Sequence, residues 1–254
     1  MLYLTSSTIF KVDSRSIWSQ LSTLQVNSVR NIGSNGIATS PTSLHCLSNQ
    51  PTQYQQVLGT IWSIISNYDS DKLIPTLGFG AKISFPNIKT PQVTHCFPIN
   101  DNPNNPNIQG FDNLNMSYVN ALKNMELSGP TFFVPIIKES LKHAAKLQGK
   151  YAYSVLLILT DGEIHDMAET KNLIVGNCGL PFSIVIVGIG NADFSKMNEL
   201  DGDGGLYSAN GVKATRDVVQ FVPFNNFKGN ADLLAKELLK EIPDQVVQYF
   251  VNIY

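Results

Sequence analysis

Two uninterrupted apolar segments near the middle of the chain restrict the fold more than any other feature of the sequence. They read SVLLIL (residues 154–159) and FSIVIVGIG (residues 182–190), and neither alternates apolar with polar positions. Strands with this pattern are buried on both faces, as in parallel sheets covered by helices. The intervening segment, DMAETKNLIVGNCGL, has the length of a crossover helix, so the two segments predict a right-handed β-α-β unit.

Other segments continue the alternation of strands and helices. Strands are predicted at residues 21–29, 73–80, 94–100 and 217–224, and helices at residues 52–68, 110–125, 134–147 and 230–254. The last segment forms either one long helix or two helices broken at Pro243. The Asn- and Pro-rich tract at residues 101–110 predicts a surface loop. The fold class is therefore predicted as α/β, a doubly wound, mostly parallel sheet with helices on both faces. The predicted boundaries are an N-terminal extension at 1–20 and one domain at 21–254.

Composition excludes several function classes. Charged residues make up 15% of the chain and the net charge is −2, which argues against a nucleic-acid groove or a polybasic membrane patch. Cys46, Cys96 and Cys178 are far apart and form neither a zinc pattern nor a disulfide framework, which favours a reducing compartment. The sequence shows no membrane-spanning stretch and no signal-peptide pattern. A cytoplasmic location is therefore expected.

The first of the two apolar strands ends in Thr160-Asp161-Gly162, a candidate for a functional site. Ligands of open α/β sheets bind beyond the carboxyl ends of the strands. The Gly-Pro-Thr loop that contains Thr131 and the Gly-Ser-Asn-Gly loop after the first strand would converge on the same edge. Hydroxyls with one carboxylate suit a hard cation such as Mg²⁺. The alternative is that Asp161 caps a helix or accepts hydrogen bonds from loop amides.

Two further motifs carry weaker signals. His165 stands four residues after Asp161, so it is either a catalytic partner or, more in keeping with a lone histidine near a helix start, a solvated or capping residue. The stretch DGDGG at residues 201–205 resembles the start of a calcium loop, but Gly205 replaces one ligand and the required glutamate is missing. A plain turn is therefore predicted there.

Several longer phrases identify a family resemblance. They are NYDSDKLIPTLGFGAKI, SGPTFFVPII, LLILTDGEIHDMAETKNLIV, LPFSIVIVGIGNADFSKMNELDGDGG, RDVVQFVPFNNFK and EIPDQVVQYF. In order and spacing they resemble the C-terminal von Willebrand factor A-like domain of copines, from about residue 22 to the end of the chain. Copines also carry two C2 domains that bind calcium and phospholipid, and this chain has no room for them. The resemblance implies a von Willebrand A fold.

The resemblance also implies a metal-ion-dependent adhesion site at the top of the sheet. In the family it consists of an Asp-x-Ser/Thr-x-Ser loop, a threonine and an aspartate. Ser34, Thr131 and Asp161 match this pattern, whereas Arg30 replaces the ligating aspartate and Ile32 replaces a hydroxyl residue. The sequence therefore predicts a degenerate site with no tightly bound cofactor, Mg²⁺ being the alternative. Arg30 is predicted to pair with Asp161 in place of the cation.

The functional expectation is a non-enzymatic adaptor module in signalling or membrane traffic, as the copine resemblance implies. Its partners would be other proteins and not nucleic acid, with membranes reached only indirectly, through partners that contain C2 domains. Its location would be cytoplasmic, with a peripheral position at the plasma membrane as the alternative. Two other functions stay open, a substrate-recruiting domain of a ubiquitin ligase assembly and a hydrolase using Asp161 and His165.

Overall fold

Strands and helices alternate along the part of the chain that the computed structural model describes, residues 23–27, 43–66, 72–150 and 152–251. The strands are β1 (Thr23–Asn27), β2 (Leu73–Phe79), β3 (Ala81–Ser84), β4 (Lys89–Thr94), β5 (Phe97–Pro98), β6 (Asn107–Gln109), β7 (Met125–Leu127), β8 (Ser154–Thr160), β9 (Phe182–Gly188) and β10 (Val219–Pro223). The helices are α1 (Gln53–Ile65), α2 (Gly110–Lys123), α3 (Val134–Leu147), α4 (Met167–Asn177), α5 (Ser195–Asp201), α6 (Ala231–Leu238) and α7 (Ile242–Val251). A 3-10 helix at Phe224–Phe227 follows β10.

The large sheet is mostly parallel, as the two apolar segments predict. Its strand order is β10-β9-β8-β1-β2-β5, and β6 also pairs with β2. The strands from β10 to β2 are parallel to their neighbours, whereas β5 and β6 run antiparallel to β2. β8 lies between β1 and β9, where Ile158 is in register with Gln25 and Ile186. The predicted β8-α4-β9 unit therefore forms the middle of the sheet.

Helices cover both faces of this sheet, which confirms the predicted fold class. Along β8, Leu157 and Leu159 belong to the hydrophobic core that also contains residues of α1, α2, α6 and α7. Leu156 and Ile158 point the other way, into a core shared with α3, α4 and α5. Because successive side chains of a strand alternate between faces, one apolar strand contributes to both cores. None of the helices among the described residues is long and apolar enough to cross a bilayer.

Four sequence-based details differ from the structure. The C-terminal region forms two helices, but the break lies before α7, and Pro243 is the second residue of that helix. Proline fits the first turn because the amide it lacks has no helical partner there. The strand predicted at 94–100 is divided between β4 and β5, and the loop predicted at 101–110 contains all of β6. The small antiparallel sheet β4-β3-β7 was not predicted.

Candidate functional site

Asp161 lies immediately after β8, at the carboxyl end of the sheet where the sequence predicts a site. Its side chain is only 3% exposed. The main-chain amide of Glu163 approaches its Oδ1 at 3.5 Å, a long contact for a hydrogen bond. Burial raises the pKa of the Asp161 carboxyl to about 7, because the charged form loses its hydration. The folded protein therefore holds a proton on this carboxyl more readily than an exposed aspartate would.

Thr131 is the second predicted site residue, and it is fully buried in the loop before α3. Within the part of the chain that the structure describes, its hydroxyl oxygen Oγ1 has no hydrogen-bond partner. The main chain of Thr131 is paired with the loop after β8, since its amide donates to Nδ1 of His165 at 3.0 Å and its carbonyl accepts from the His165 amide at 2.9 Å. The structure therefore joins the Thr131 loop to the loop that begins with Asp161, as the predicted topology requires.

His165 has a structural position in this arrangement. Because its Nδ1 accepts a hydrogen bond from a main-chain amide, the neutral ring carries its proton on Nε2. Nδ1 is consequently occupied in holding the two loops together and cannot take a proton from a substrate at the same time. This geometry does not favour the hydrolase alternative with Asp161 and His165.

Asp166 is a residue of this region that sequence reasoning missed. Its carboxylate accepts hydrogen bonds from the main-chain amides of Phe133 at 2.9 Å and Val134 at 2.8 Å. These amides are at the start of α3, where the first N–H groups of a helix have no partner within the helix. The carboxylate also suits the positive end of the helix dipole. From the sequence, Asp166 would be expected to cap α4, because it lies just before that helix. Neighbouring residues in the sequence do not reveal that it caps α3, which is remote along the chain.

The donors at this end of the sheet fit a hard cation in part. The unpartnered hydroxyl of Thr131 and the buried carboxyl of Asp161 are oxygen ligands of the kind that Mg²⁺ prefers. Within the described ranges, no three His, Cys, Asp or Glu side chains are grouped so that they could hold a metal ion. Arg30, Ile32 and Ser34 lie outside the described residues, so their assigned roles stay predictions.

A buried polar cluster lies on the α1 side of the same region. Nδ1 of His45 and the hydroxyl of Tyr118 are 2.7 Å apart, and Oγ1 of Thr52 is 3.3 Å from the same hydroxyl. The ring of Tyr54 stacks on the ring of His45 with 4.1 Å between their centroids. Thr52 also caps α1 in a capping box with Gln55. The cluster therefore connects α1 to α2 and to the turn that contains His45.

A second group of ionisable side chains lies along β10, at the edge of the sheet. Asp217 precedes β10, Glu241 precedes α7, and their carboxyl groups share a hydrogen bond. In the amide orientation that pairs donor with acceptor, the Gln220 side-chain nitrogen is 3.1 and 3.2 Å from the two carboxylate oxygens of Glu241. The amide of Phe221 donates to Oδ1 of Asp201 at 2.8 Å. Acidic groups thus cover part of an edge strand.

This group should make stability depend on pH. Burial, followed by repulsion from nearby carboxylates, raises the pKa of Asp201 and Glu241 to about 7. When folding raises the pKa of an acid, the folded state binds the proton more tightly than the unfolded chain does. The resulting stabilisation is complete below the pKa of the unfolded chain and is lost as pH rises through the pKa of the folded state. Glu241→Gln, a neutral replacement that can still accept from Gln220, should therefore stabilise the protein at about pH 8 and little at about pH 5. Urea unfolding midpoints at the two pH values measure the difference.

The matched control for this prediction is Glu126→Gln. Glu126 is an exposed glutamate that pairs with Lys82 on the small sheet. Removing its charge should change the urea midpoint by a similar small amount at both pH values, because an exposed ion pair contributes little to stability. Equal pH dependence in the wild-type protein and Glu241→Gln would contradict the prediction.

The chain was compared with known protein families and structures. The copine family model matches residues 43–253. A solved structure, the crystal structure of manganese-loaded Plasmodium vivax TRAP protein, aligns with a TM-score of 0.41 and 13% identity, covering 83% of this chain and 71% of that one. The family match spans both loops of the candidate site.

Proposed function

Because the chain belongs to the copine family, we propose that its von Willebrand A-like domain is a non-enzymatic protein-interaction module whose partners bind at the carboxyl end of the sheet. The observation that carries the proposal is the pair of joined loops around Thr131 and Asp161. They enclose a buried carboxyl and a buried hydroxyl that has no partner among the described residues, while His165 holds the loops together. This arrangement suits recognition and provides no nucleophile with an adjacent free base.

The proposal includes a metal-ion-dependent adhesion site that has lost part of its ligand set. Ser34, Thr131 and Asp161 would hold a cation in this site, and a bound Mg²⁺ would supply a positive charge to an acceptor on the partner. In this proposal Arg30 and Ile32 replace two expected ligands, and a guanidinium in place of the ligating aspartate would repel a cation. The native chain should consequently bind divalent cations weakly, with Arg30 supplying the positive charge at this position.

Restoring the family pattern tests the assignment of this loop. Arg30→Asp combined with Ile32→Thr adds a carboxylate and a hydroxyl, which are preferred Mg²⁺ ligands. We expect the double variant to bind Mg²⁺ at least about tenfold more tightly than the native chain, which corresponds to about 1.4 kcal/mol. Isothermal titration calorimetry measures both proteins.

Adding Asp161→Asn to the restored variant provides the control. If Asp161 is a ligand, this substitution should remove the gained affinity, since an amide oxygen is a weaker ligand for Mg²⁺ than a carboxylate. Micromolar Mg²⁺ binding by the native chain, or no gain in the restored one, would show that Arg30 does not occupy the position of the ligating aspartate.

Partner capture tests the module itself. The purified chain is used as bait in cell extract beside Asp161→Asn and beside Asp203→Asn, a control at an exposed position after α5. Asp161→Asn should lose specific partners that the native chain and Asp203→Asn retain.

In two further arms, the native chain should turn over neither phosphoesters nor peptides, and it should not sediment with anionic liposomes with or without calcium. Asp161-dependent turnover would establish an enzyme instead, and calcium-dependent sedimentation would establish direct membrane binding.

A further inference from the structure

A mostly apolar groove of about 500 Å³ lies between α1, α2 and the segment that follows β10. Its volume is within the range of roughly 300–1,000 Å³ that is typical of ligand-binding pockets. The described residues that line this α1–α2 groove include Gln55, Gly59, Phe111, Asn115, Phe224 and Lys228. None of its described lining residues belongs to the loops that carry Thr131 and Asp161. The groove is therefore separate from the site at the end of β8.

Gly59 keeps the α1–α2 groove open. It lies in the interior of α1, where glycine destabilises a helix relative to alanine. A Cβ at this position would lie 3.4 Å from Cζ of Phe111, which is an ordinary packing distance. Neighbouring atoms therefore do not require a glycine here. A larger side chain would occupy the groove that Gly59 lines, so the glycine preserves an open binding surface at some cost in helix stability.

The groove combines apolar surface with a fixed hydrogen-bond donor. Phe111 and Phe224 supply aromatic rings for an apolar side chain to pack against. The side chain of Asn115 is held in place because its Oδ1 accepts a hydrogen bond from Nε2 of Gln55 at 2.8 Å. The Nδ2 group of Asn115 makes no hydrogen bond to any other described residue, so it can donate to a main-chain carbonyl. These groups suit an extended peptide with an apolar side chain.

Lys228 gives the groove a positive charge. It is the one charged residue among the described residues of the lining, and its side chain is exposed. Within the described part of the chain, no carboxylate lies within ion-pair distance of its Nζ. An ammonium group in this position can form a charge-assisted hydrogen bond to a carboxylate of a ligand.

We propose that the α1–α2 groove binds an acidic peptide segment of a partner protein, in which an aromatic or aliphatic side chain is closely followed by Asp or Glu. The apolar side chain packs against Phe111 and Phe224, and the carboxylate pairs with Lys228. This is a second protein-binding surface, beyond the one proposed at Thr131 and Asp161.

Selection from a library of random peptides displayed on phage, with the native chain as the target, tests the proposal. Enriched peptides should combine an aromatic or aliphatic residue with a neighbouring Asp or Glu. Their affinities are then measured with labelled synthetic peptides by fluorescence polarisation. Gly59→Leu should weaken binding at least about tenfold, because its side chain fills the groove. The same variant should melt at a higher temperature than the native chain, since leucine favours a helix more than glycine does.

Lys228→Met should weaken binding at least about fivefold, because the carboxylate loses its charged partner. Lys236→Met removes a positive charge from an exposed position of α6 outside the groove and should leave the affinity unchanged. A peptide whose Asp and Glu residues are replaced by Asn and Gln should bind weakly to the native chain and should not be weakened further by Lys228→Met.

Two results would overturn the proposal. One is that no peptide is enriched, and the other is that the enriched peptides bind Gly59→Leu and Lys228→Met as tightly as the native chain. Asp161→Asn should retain the peptide affinity, and a loss of affinity in this variant would show that the groove is not a separate surface. Partner capture that depends on Asp161 is measured independently, so failure of the groove and failure of the proposed function give different results.

Discussion

Replacing Ile158 by aspartate should abolish the cooperative fold of this domain. Ile158 is completely buried in the middle of β8, between β1 and β9. A carboxylate there would lose its hydration without gaining a partner, at a cost of several kcal/mol. Because domains of this kind are stable by only about 5–15 kcal/mol, that cost is a large part of the total. Circular dichroism and thermal melting of the purified variant measure the result.

Two controls separate burial of charge from other effects of the substitution. Ile158→Val removes one methylene group and should cost only about 0.5–1.5 kcal/mol. Val212→Asp introduces the same charge at a residue that is 59% exposed and should leave the melting temperature nearly unchanged. A soluble Ile158→Asp protein that melts cooperatively near the native temperature would show that the centre of β8 is not buried.

Arg216 should be the second position at which a single substitution has a severe effect. Its side chain is 7% exposed, and its guanidinium donates to the Cys178, Leu180, Phe182 and Gln245 carbonyls and to the Tyr153 hydroxyl. The guanidinium also lies 5.6 Å from the ring centroids of both Tyr153 and Tyr249. Arg216 therefore connects the segment before β10 with the start of β9 and with α7.

Arg216→Met should lower the free energy of unfolding by more than about 3 kcal/mol, because it removes several buried hydrogen bonds to a charged group, each of which contributes about 1.5–3 kcal/mol. Arg216→Lys should cost nearly as much. Lysine keeps the charge but has a single nitrogen, so it cannot reach carbonyls on several sides. Urea denaturation measures both variants. The exposed Lys213→Met serves as the control for loss of a nearby positive charge, with an expected change within about 0.5 kcal/mol. An Arg216→Lys protein with the native free energy of unfolding would show that the positive charge, and not the geometry of the hydrogen-bond donors, determines the contribution of Arg216 to stability.

The sequence determined the fold class because the relevant signals are local. The unbroken apolar runs of β8 and β9 required a sheet covered on both faces, and the helical spacing in α1 and α3 supplied the covering elements. The shortest strands were not predicted from the sequence. β5 has two residues and β6 and β7 have three each, so their positions depend on pairing with other strands more than on their own sequence.

For the candidate site, the sequence alone predicted Thr131 and Asp161 as site residues and placed both at the carboxyl end of the sheet. Only the tertiary structure showed that His165 joins their loops and that Asp166 caps α3. The physical reason is that a local pattern fixes the conformation and the buried face of a segment. The partner of a polar side chain instead depends on which remote groups folding brings within hydrogen-bonding distance, and residue spacing does not encode those contacts.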